Sequence, residues 1–328
     1  MAERILVTGG AGYIGSVVVA QLLDRGYQPI VFDDLSHGHR AALRDGAKLV
    51  IGDIADRAAL DRVFAEYQPQ AVMHFAAFIE AGESMQRPEK YFRNNTASAL
   101  TLLEALIAHN VKRFVFSSTA ALYGTPEKTP ILEDAPLHPT NAYGESKLLV
   151  EQMLSWLHRV HGLRYACLRY FNAAGAAGEQ GEDHHPESHL IPLALQVALG
   201  VRKDLAIFGT DYPTPDGTCV RDFVHVTDLA TAHLLVLEAL QEKDKLIYNL
   251  GNGRGFSVRE VIETVRKVTG HPIPATESPR RPGDPAVLVA SSEKIKQELG
   301  WNPQYADLES IVRSAWEWRK VRPAGYGS

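Results

Sequence analysis

The sequence predicts an α/β fold, a doubly wound parallel sheet followed by a smaller mixed α/β region. Two observations carry this. Short apolar runs alternate with longer segments of helical periodicity, the pattern of strands joined by crossover helices in a parallel sheet. The first of these runs ends in a glycine cluster that opens a helix, the turn that cradles phosphate groups in folds of this kind. With 328 residues, 45% of them apolar, the chain can form one large core or two domains.

Arg4-Ile5-Leu6-Val7-Thr8 reads as a buried strand, and Gly9-Gly10-Ala11-Gly12-Tyr13-Ile14-Gly15 turns it into a helix over residues 16–25. Glycine permits the tight bend at Gly9, lets backbone approach a pyrophosphate at Gly12, and lets helix and strand pack closely at Gly15. A second strand over 28–32 ends at Asp33-Asp34, about 20 residues beyond the glycines, where a carboxylate accepts hydrogen bonds from an adenosine ribose. Asp33 would repel a 2′-phosphate, so the pattern favours NAD over NADP, although Arg40 nearby argues the other way. The alternation continues with strands at Lys48–Ile51, 71–75, 113–117 and 164–169, and ligands of such sheets bind at the carboxyl ends of the strands. At those ends Asp53 and Ile54 would flank the adenine, and His74-Phe75-Ala76-Ala77 would line the cofactor with small residues. Ser117-Ser118-Thr119 closes the fifth strand and offers a hydroxyl to share a substrate proton.

Asn141-Ala142-Tyr143-Gly144-Glu145-Ser146-Lys147 places a phenol and an amine four residues apart where a helix begins. Residues four apart lie on one helix face, so both heads reach one substrate hydroxyl and suggest a general acid/base. Lowering a phenol from near 10 by about 3 units takes an adjacent ammonium and a second positive charge. Lys147 would be the first.

Beyond Asn172 the composition shifts to small residues and a polar loop through His189, which sets a soft boundary between a domain over 1–173 and one over 174–328. Parts of 221–250 are expected to rejoin the first domain, through a helix over 227–240 and a strand over 247–250. His184, His185 and His189 invite a metal, yet no cysteine or carboxylate set completes it in the sequence, and no metal is assigned. Residues 190–199 read as an amphipathic helix with Pro192 tolerated in its first turn, and Ser257 with Glu260 as a capping box. Arg221 and Arg281 suit a diphosphate, because a planar guanidinium binds phosphate oxygens in bidentate fashion. Pro279-Arg280-Arg281-Pro282-Gly283-Asp284 reads as a rigid loop that holds such groups. The net charge of −5, spread without blocks, gives no footprint for nucleic acid or a membrane surface. Two cysteines, Cys167 and Cys219, are too few for a disulfide framework, and with no apolar leader or spanning run the expected address is the cytoplasm.

Taken together the motifs resemble the extended short-chain dehydrogenase/reductase family, and within it the UDP-glucose 4-epimerases, over essentially the whole chain. The resemblance rests on Thr8 to Ser16, His74-Phe75-Ala76, Tyr143 to Lys147, Arg169-Tyr170-Phe171-Asn172, Ala206 to Tyr212 and Arg221 to Val226. It implies a Rossmann-like NAD domain, a UDP-sugar substrate, and transient oxidation at C4 with Tyr143 as acid/base, Lys147 on the nicotinamide ribose and Thr119 beside them. It extends the cofactor contacts to Tyr13, Ile14, Asn94 and Phe171, and departs from some relatives in having Ile79 where they have lysine. For the sugar nucleotide it implies Asn172 at the phosphates, Phe208 near the uracil, Asp284 on the uridine ribose, and Leu190 and Ala206 in the same site. His189 stands where the family usually has asparagine. Leu288 falls at the gate for the sugar's 2-substituent. A smaller residue than tyrosine there implies UDP-glucose and UDP-galactose as the principal pair, with activity on UDP-N-acetylglucosamine. Family members pair through two helices as a four-helix bundle, and residues 100–107 and 148–157 carry apolar side chains on more than one side, so a homodimer is expected. A dehydratase of this scaffold carries its acid and base after the threonine, where this chain has Ala120-Ala121. A non-catalytic NAD sensor would have no need of Tyr143, Lys147, Arg221 and Arg281, all of which are present.

Overall fold

The computed structural model describes residues 2–281 and 284–327. Pro282 and Gly283 of the expected 279–284 loop lie outside them, as do Met1 and Ser328. In chain order, β1 (Arg4–Thr8), α1 (Tyr13–Asp24), β2 (Gln28–Asp33), β3 (Lys48–Ile51), α2 (Arg57–Tyr67) and β4 (Ala71–His74) come first. The short α3 (Ala81–Ser84) and α4 (Pro88–Tyr91) lead through a π-helical turn, Phe92–Ala97, into α5 (Ser98–Ala108). Next are β5 (Arg113–Thr119), α6 (Ala142–His161), β6 (Arg164–Tyr170), β7 (Asn172–Ala174), α7 (Leu190–Ala198), β8 (Leu205–Phe208), β9 (Val220–His225), α8 (Val226–Ala239) and β10 (Lys245–Leu250). The chain closes with β11 (Gly255–Ser257), α9 (Val258–Thr269), β12 (Ala275–Ser278), β13 (Val287–Leu288), α10 (Glu293–Leu299) and α11 (Leu308–Val321).

Seven strands form the main sheet in the order β10-β6-β5-β4-β1-β2-β3, every pair parallel. Alternating side chains explain how one apolar run serves two layers. Ile5 and Val7 of β1 pack with Val17, Val18 and Leu22 of α1 and Leu229 and Leu234 of α8, whereas Leu6 packs with Leu60 of α2, Leu102 of α5 and Leu154 of α6. Each such buried side chain contributes about 1.5–3 kcal/mol, so the sheet is fixed from both faces. As expected, β10 joins this sheet beside β6, with Leu250 opposite Tyr170.

The smaller part holds β11, β9 and β13 with β7 beside β9, and a separate β12·β8 pair. Ile191 and Leu195 of α7, Val261, Ile262 and Val265 of α9, and Ile311 and Val312 of α11 form its core. The expected capping box starts α9: Ser257 Oγ accepts from the Glu260 N–H at 3.0 Å and the Glu260 carboxylate accepts from the Ser257 N–H at 2.7 Å. Several expected boundaries move by one to three residues, two of them at the crevice. Helix α1 begins at Tyr13 rather than 16, because Gly12 is extended and serves as its cap. Strand β5 continues to Thr119, where it still pairs with Tyr170 of β6.

Candidate active site

The strand order reverses between β1 and β4, and a crevice opens there at the carboxyl ends of the strands. One cavity in this crevice is lined by all fifteen residues assigned to the cofactor from the sequence: Gly9, Gly12, Tyr13, Ile14, Gly15, Asp33, Asp53, Ile54, Phe75, Ala76, Ala77, Asn94, Tyr143, Lys147 and Phe171. The glycines are required by sterics. Gly9 has φ +69°, and a Cβ there would stand 2.4 Å from the backbone nitrogen of Ala76; a Cβ on Gly15 would stand 2.2 Å from the Gly9 carbonyl oxygen. Over Gly12 the only near neighbour is that same oxygen at 3.3 Å. No side chain caps the N-terminus of α1, so its first amides and the positive end of its dipole face the cavity. An open glycine bed at an uncapped helix end fits a dinucleotide's pyrophosphate.

Asp33 is more than an expected ribose acceptor. Its Oδ2 accepts from the Ala11 N–H and its Oδ1 from the Leu35 N–H, each at 2.9 Å, so the carboxylate also braces the glycine turn. Burial pushes its pKa up, and these two amides pull against that. The cavity wall includes residues the sequence did not single out, among them Ser36, His37 and Gly38 after β2, Phe78 and Glu182. The first three stand two to four residues beyond Asp34, a position that could have flagged them. Asn94 reaches the cavity from the π-helical turn, an irregularity with no sequence signal that recurs at functional sites.

The Asn141 side chain starts α6 by accepting from the Gly144 N–H at 2.8 Å, which sets Tyr143 and Lys147 in the first two turns. Below them the buried Glu151 carboxylate takes both arms of Arg169 of β6, at 3.1 and 2.7 Å, and the Ser118 hydroxyl at 2.6 Å. Arg169 also donates to Tyr123 at 2.8 Å and to the Glu133 carbonyl at 3.0 Å. Helix α6 is thus tied to the strand ends that carry Thr119. Tyr143 and Thr119 line the cavity together, and the Thr119 hydroxyl acts on the phenol. Lys147 Nζ donates to the Ser117 carbonyl at 2.9 Å. The electrostatics differ from the sequence expectation in one respect. Burial pushes the Tyr143 phenol up, with the Thr119 hydroxyl pulling it down and Glu80 adding to the rise, so Lys147 is not what sets it. Burial likewise pushes the Lys147 ammonium down to about 7. The cause is desolvation of both groups at the wall of the crevice.

The residues assigned to the sugar nucleotide fall into two groups. Thr119, Asn172 and His189 line the cofactor cavity. Leu190, Ala206, Phe208, Arg221, Arg281, Asp284 and Leu288 do not line it and lie in the smaller part. Asn172 joins the two, since its strand β7 pairs with β9 and its amide donates to the Asp222 carbonyl at 2.9 Å. On β9 the Arg221 guanidinium donates to the Val220 and Pro285 carbonyls, each at 2.9 Å, and lies 3.5 Å from the Asp284 carboxylate. Arg281 stacks over the Phe208 ring at 3.9 Å, from β8. Burial raises the pKa of the nearby Cys219 thiol, with Arg221 and Arg281 pulling it down and Asp284 adding to the rise. Leu288 pairs in register with Arg221 and packs with the Ala120, Tyr123 and Phe171 cluster, beside the cavity wall.

The loop before α7 requires a correction. Glu182 and Glu187 flank its histidines in the chain, and the fold gathers them with His184 and His189 into a carboxylate set that the spacing alone did not assign. His189 Nδ1 lies 2.7 Å from Glu182 and 3.2 Å from Glu187. His184 joins this cluster, while His185 is exposed and does not.

Among known proteins, the NAD dependent epimerase/dehydratase family profile matches residues 5–251. A relative from Halalkalibacterium halodurans, named UDP-glucose 4-epimerase, is 55% identical over 327 residues, 99% of this chain and 98% of its own. The UDP-glucose 4-epimerase structure from Brucella ovis in complex with NAD is 46% identical with a TM-score of 0.93, covering 96% of this chain and 98% of that one. That from Bifidobacterium longum in complex with NAD+ and UDP is 41% identical with a TM-score of 0.95, covering 98% and 99%. A seven-stranded parallel sheet with this glycine turn, a Tyr143–Lys147 pair at its crevice, and full-length likeness to such relatives lead to one conclusion: the chain belongs to the NAD dependent epimerase/dehydratase family.

Proposed function

We propose that the protein is an NAD-dependent 4-epimerase that interconverts UDP-glucose and UDP-galactose through a 4-keto intermediate. The observation that carries this is the shared cavity: the glycine turn, Tyr143, Lys147 and Thr119 line it together, and the next residues, Ala120 and Ala121, supply no acid or base for eliminating water. In this reading the glycine turn, Tyr13, Ile14 and Asp33 hold the dinucleotide, with Lys147 and Asn94 at its nicotinamide end. When bound, the nicotinamide supplies a hydride acceptor and donor. Deprotonated Tyr143 takes the proton of the sugar 4-hydroxyl and, as the phenol, later returns it, with Thr119 aligning it, while Asn172, Arg221, Arg281 and Asp284 hold the nucleotide. A positively charged nicotinamide would oppose the burial that holds the phenol up, so the phenolate would be most populated when the cofactor is oxidised. Thr119 and Tyr143 serve both directions of the exchange, which leaves no net redox change.

The test is incubation of the purified chain with UDP-galactose and no added NAD. UDP-glucose should form, with NAD released on denaturing the protein. A chain that contains no dinucleotide and turns over only with stoichiometric NAD would sink the reading. The same incubation with UDP-N-acetylglucosamine reads the Leu288 gate, where slower but measurable turnover is expected, since a small steric difference alters specificity by only about 10 to 200-fold.

Residues 1–173 with β10 are proposed as the NAD domain and 174–328 as the substrate domain. A cytoplasmic address and a role in galactose metabolism follow from the proposed activity. Among the described residues no helix is long and apolar enough to cross a membrane. A homodimer through α5 and α6 completes the proposal, supported by the apolar stripe on α6 argued in the Discussion.

A further inference from the structure

We propose that the loop ahead of α7 binds a divalent transition-metal ion of the zinc type through Glu182, His184, Glu187 and His189. Each of the four offers one ligand atom, and these atoms lie within 4.8 Å of one another. His189 Nδ1 is 2.7 Å from Glu182 Oε1 and 3.2 Å from Glu187 Oε1; His184 Nδ1 is 3.2 Å from Glu182 Oε1 and 4.0 Å from Glu187 Oε2. Four ligands at 2.0–2.1 Å from a tetrahedral ion stand about 3.3 Å apart, in the middle of that spread. Two carboxylates balance the charge of a dication. Two imidazoles select zinc-like ions over magnesium or calcium, which prefer oxygen alone.

An independent sign of a missing partner comes from Glu187. Its side chain is 3% exposed, and its Oε1 accepts from the Ser188 and His189 N–H groups at 2.8 Å each. Its Oε2 is buried with no hydrogen-bond partner. His184 Nδ1, although near Glu182, is likewise buried without an aligned partner. Buried polar atoms left unpaired are costly, and a cation satisfies both of these at once. Glu182, His184 and His189 also line the cofactor cavity, and His184 stands edge-on to Tyr13, so the ion would fix the wall of the dinucleotide site. Bound through Nδ1, His189 keeps Nε2 free to face the nucleotide.

The experiment uses tag-free protein with its own dinucleotide, dialysed against a chelator and titrated with Zn2+ by calorimetry and with Co2+ by visible absorption. One equivalent of Zn2+ per chain, a raised thermal midpoint and the intense ligand-field bands of tetrahedral Co2+ are expected. Glu187→Gln and His184→Asn should each weaken Zn2+ binding at least 100-fold, while the metal-free variants melt no earlier than the metal-free wild type. Zn2+ binding by the wild type that is absent, or no tighter than by the variants, overturns the proposal and leaves an ion-pair cluster. If neither variant folds, the wild-type Co2+ spectrum decides alone, because weak octahedral bands or none rule out the four-ligand site.

Discussion

At the level of single residues the proposed roles separate into chemistry and binding. Tyr143 and Thr119 line the crevice together, whereas Arg221 and Arg281 lie off it beside Asp284 and Phe208. Tyr143→Phe keeps the ring and removes only the hydroxyl, so kcat should fall by about 10²–10⁴-fold with UDP affinity unchanged. Arg281→Ala should raise the dissociation constant for UDP instead and leave the bound state's turnover closer to wild type. Single-turnover rates and UDP titrations measure both, and the reverse assignment of the two defects would show the roles to be exchanged. The residue types of this site were legible because each has one kind of chemistry at a strand end or helix start. The double duty of Asp33 was not, since its bonds to Ala11 and Leu35 come from a loop closure that no spacing announces.

Elements were legible in proportion to how many apolar side chains they bury. Parallel strands such as β1, β5 and β6 are covered on both faces and read as continuous apolar runs. The two- to four-residue strands β7, β11, β12 and β13 have no period to detect, and they are the ones that shape the smaller part. Glu182, His184, Glu187 and His189 stand within eight residues of one another in the chain, but only the fold of that loop shows that their side chains converge. Helix α6 shows a different limit, in that its sequence marks Tyr143 and Lys147 but not what holds them. The buried Arg169–Glu151 pair does so, with side chains 3% and 7% exposed. Removing one partner leaves an uncompensated buried charge, so Glu151→Gln should cost about 3–5 kcal/mol in urea unfolding. Glu151→Leu with Arg169→Leu should recover a large part of that, because the pair repays little beyond its own desolvation. A single variant as stable as wild type would show that the bidentate pair does not tie α6 to the sheet.

Across the whole molecule, one surface of the main sheet's helical layer is poorly explained by a lone chain. On α6 the partly buried Met153 and Leu157 pack on the core, while Leu149 and Met153 continue into Trp156 and Val160 at helical spacing, the last two 64% and 67% exposed. Leu100 of α5, 40% exposed, adds a further apolar side chain from the helix next to it. Single exposed apolar residues are ordinary, but an indole and a valine one helical turn apart at the end of such a stripe are not. A second copy laying its own α5 and α6 here would bury them about a two-fold axis, so each residue of the stripe would count twice. The same helix carries Tyr143 and Lys147 at its other end, and dimerisation would stiffen the site without contributing a residue to it. Tryptophans at interface centres often contribute 2 kcal/mol or more, so Trp156→Glu, which occurs in both subunits, should weaken association by at least about 30-fold per side chain. Light scattering at micromolar concentration should then give a dimer mass for wild type and a monomer mass for the variant, with unchanged circular dichroism. A monomer mass for the wild type would leave Trp156 and Val160 as isolated surface residues and remove the dimer from the proposed function.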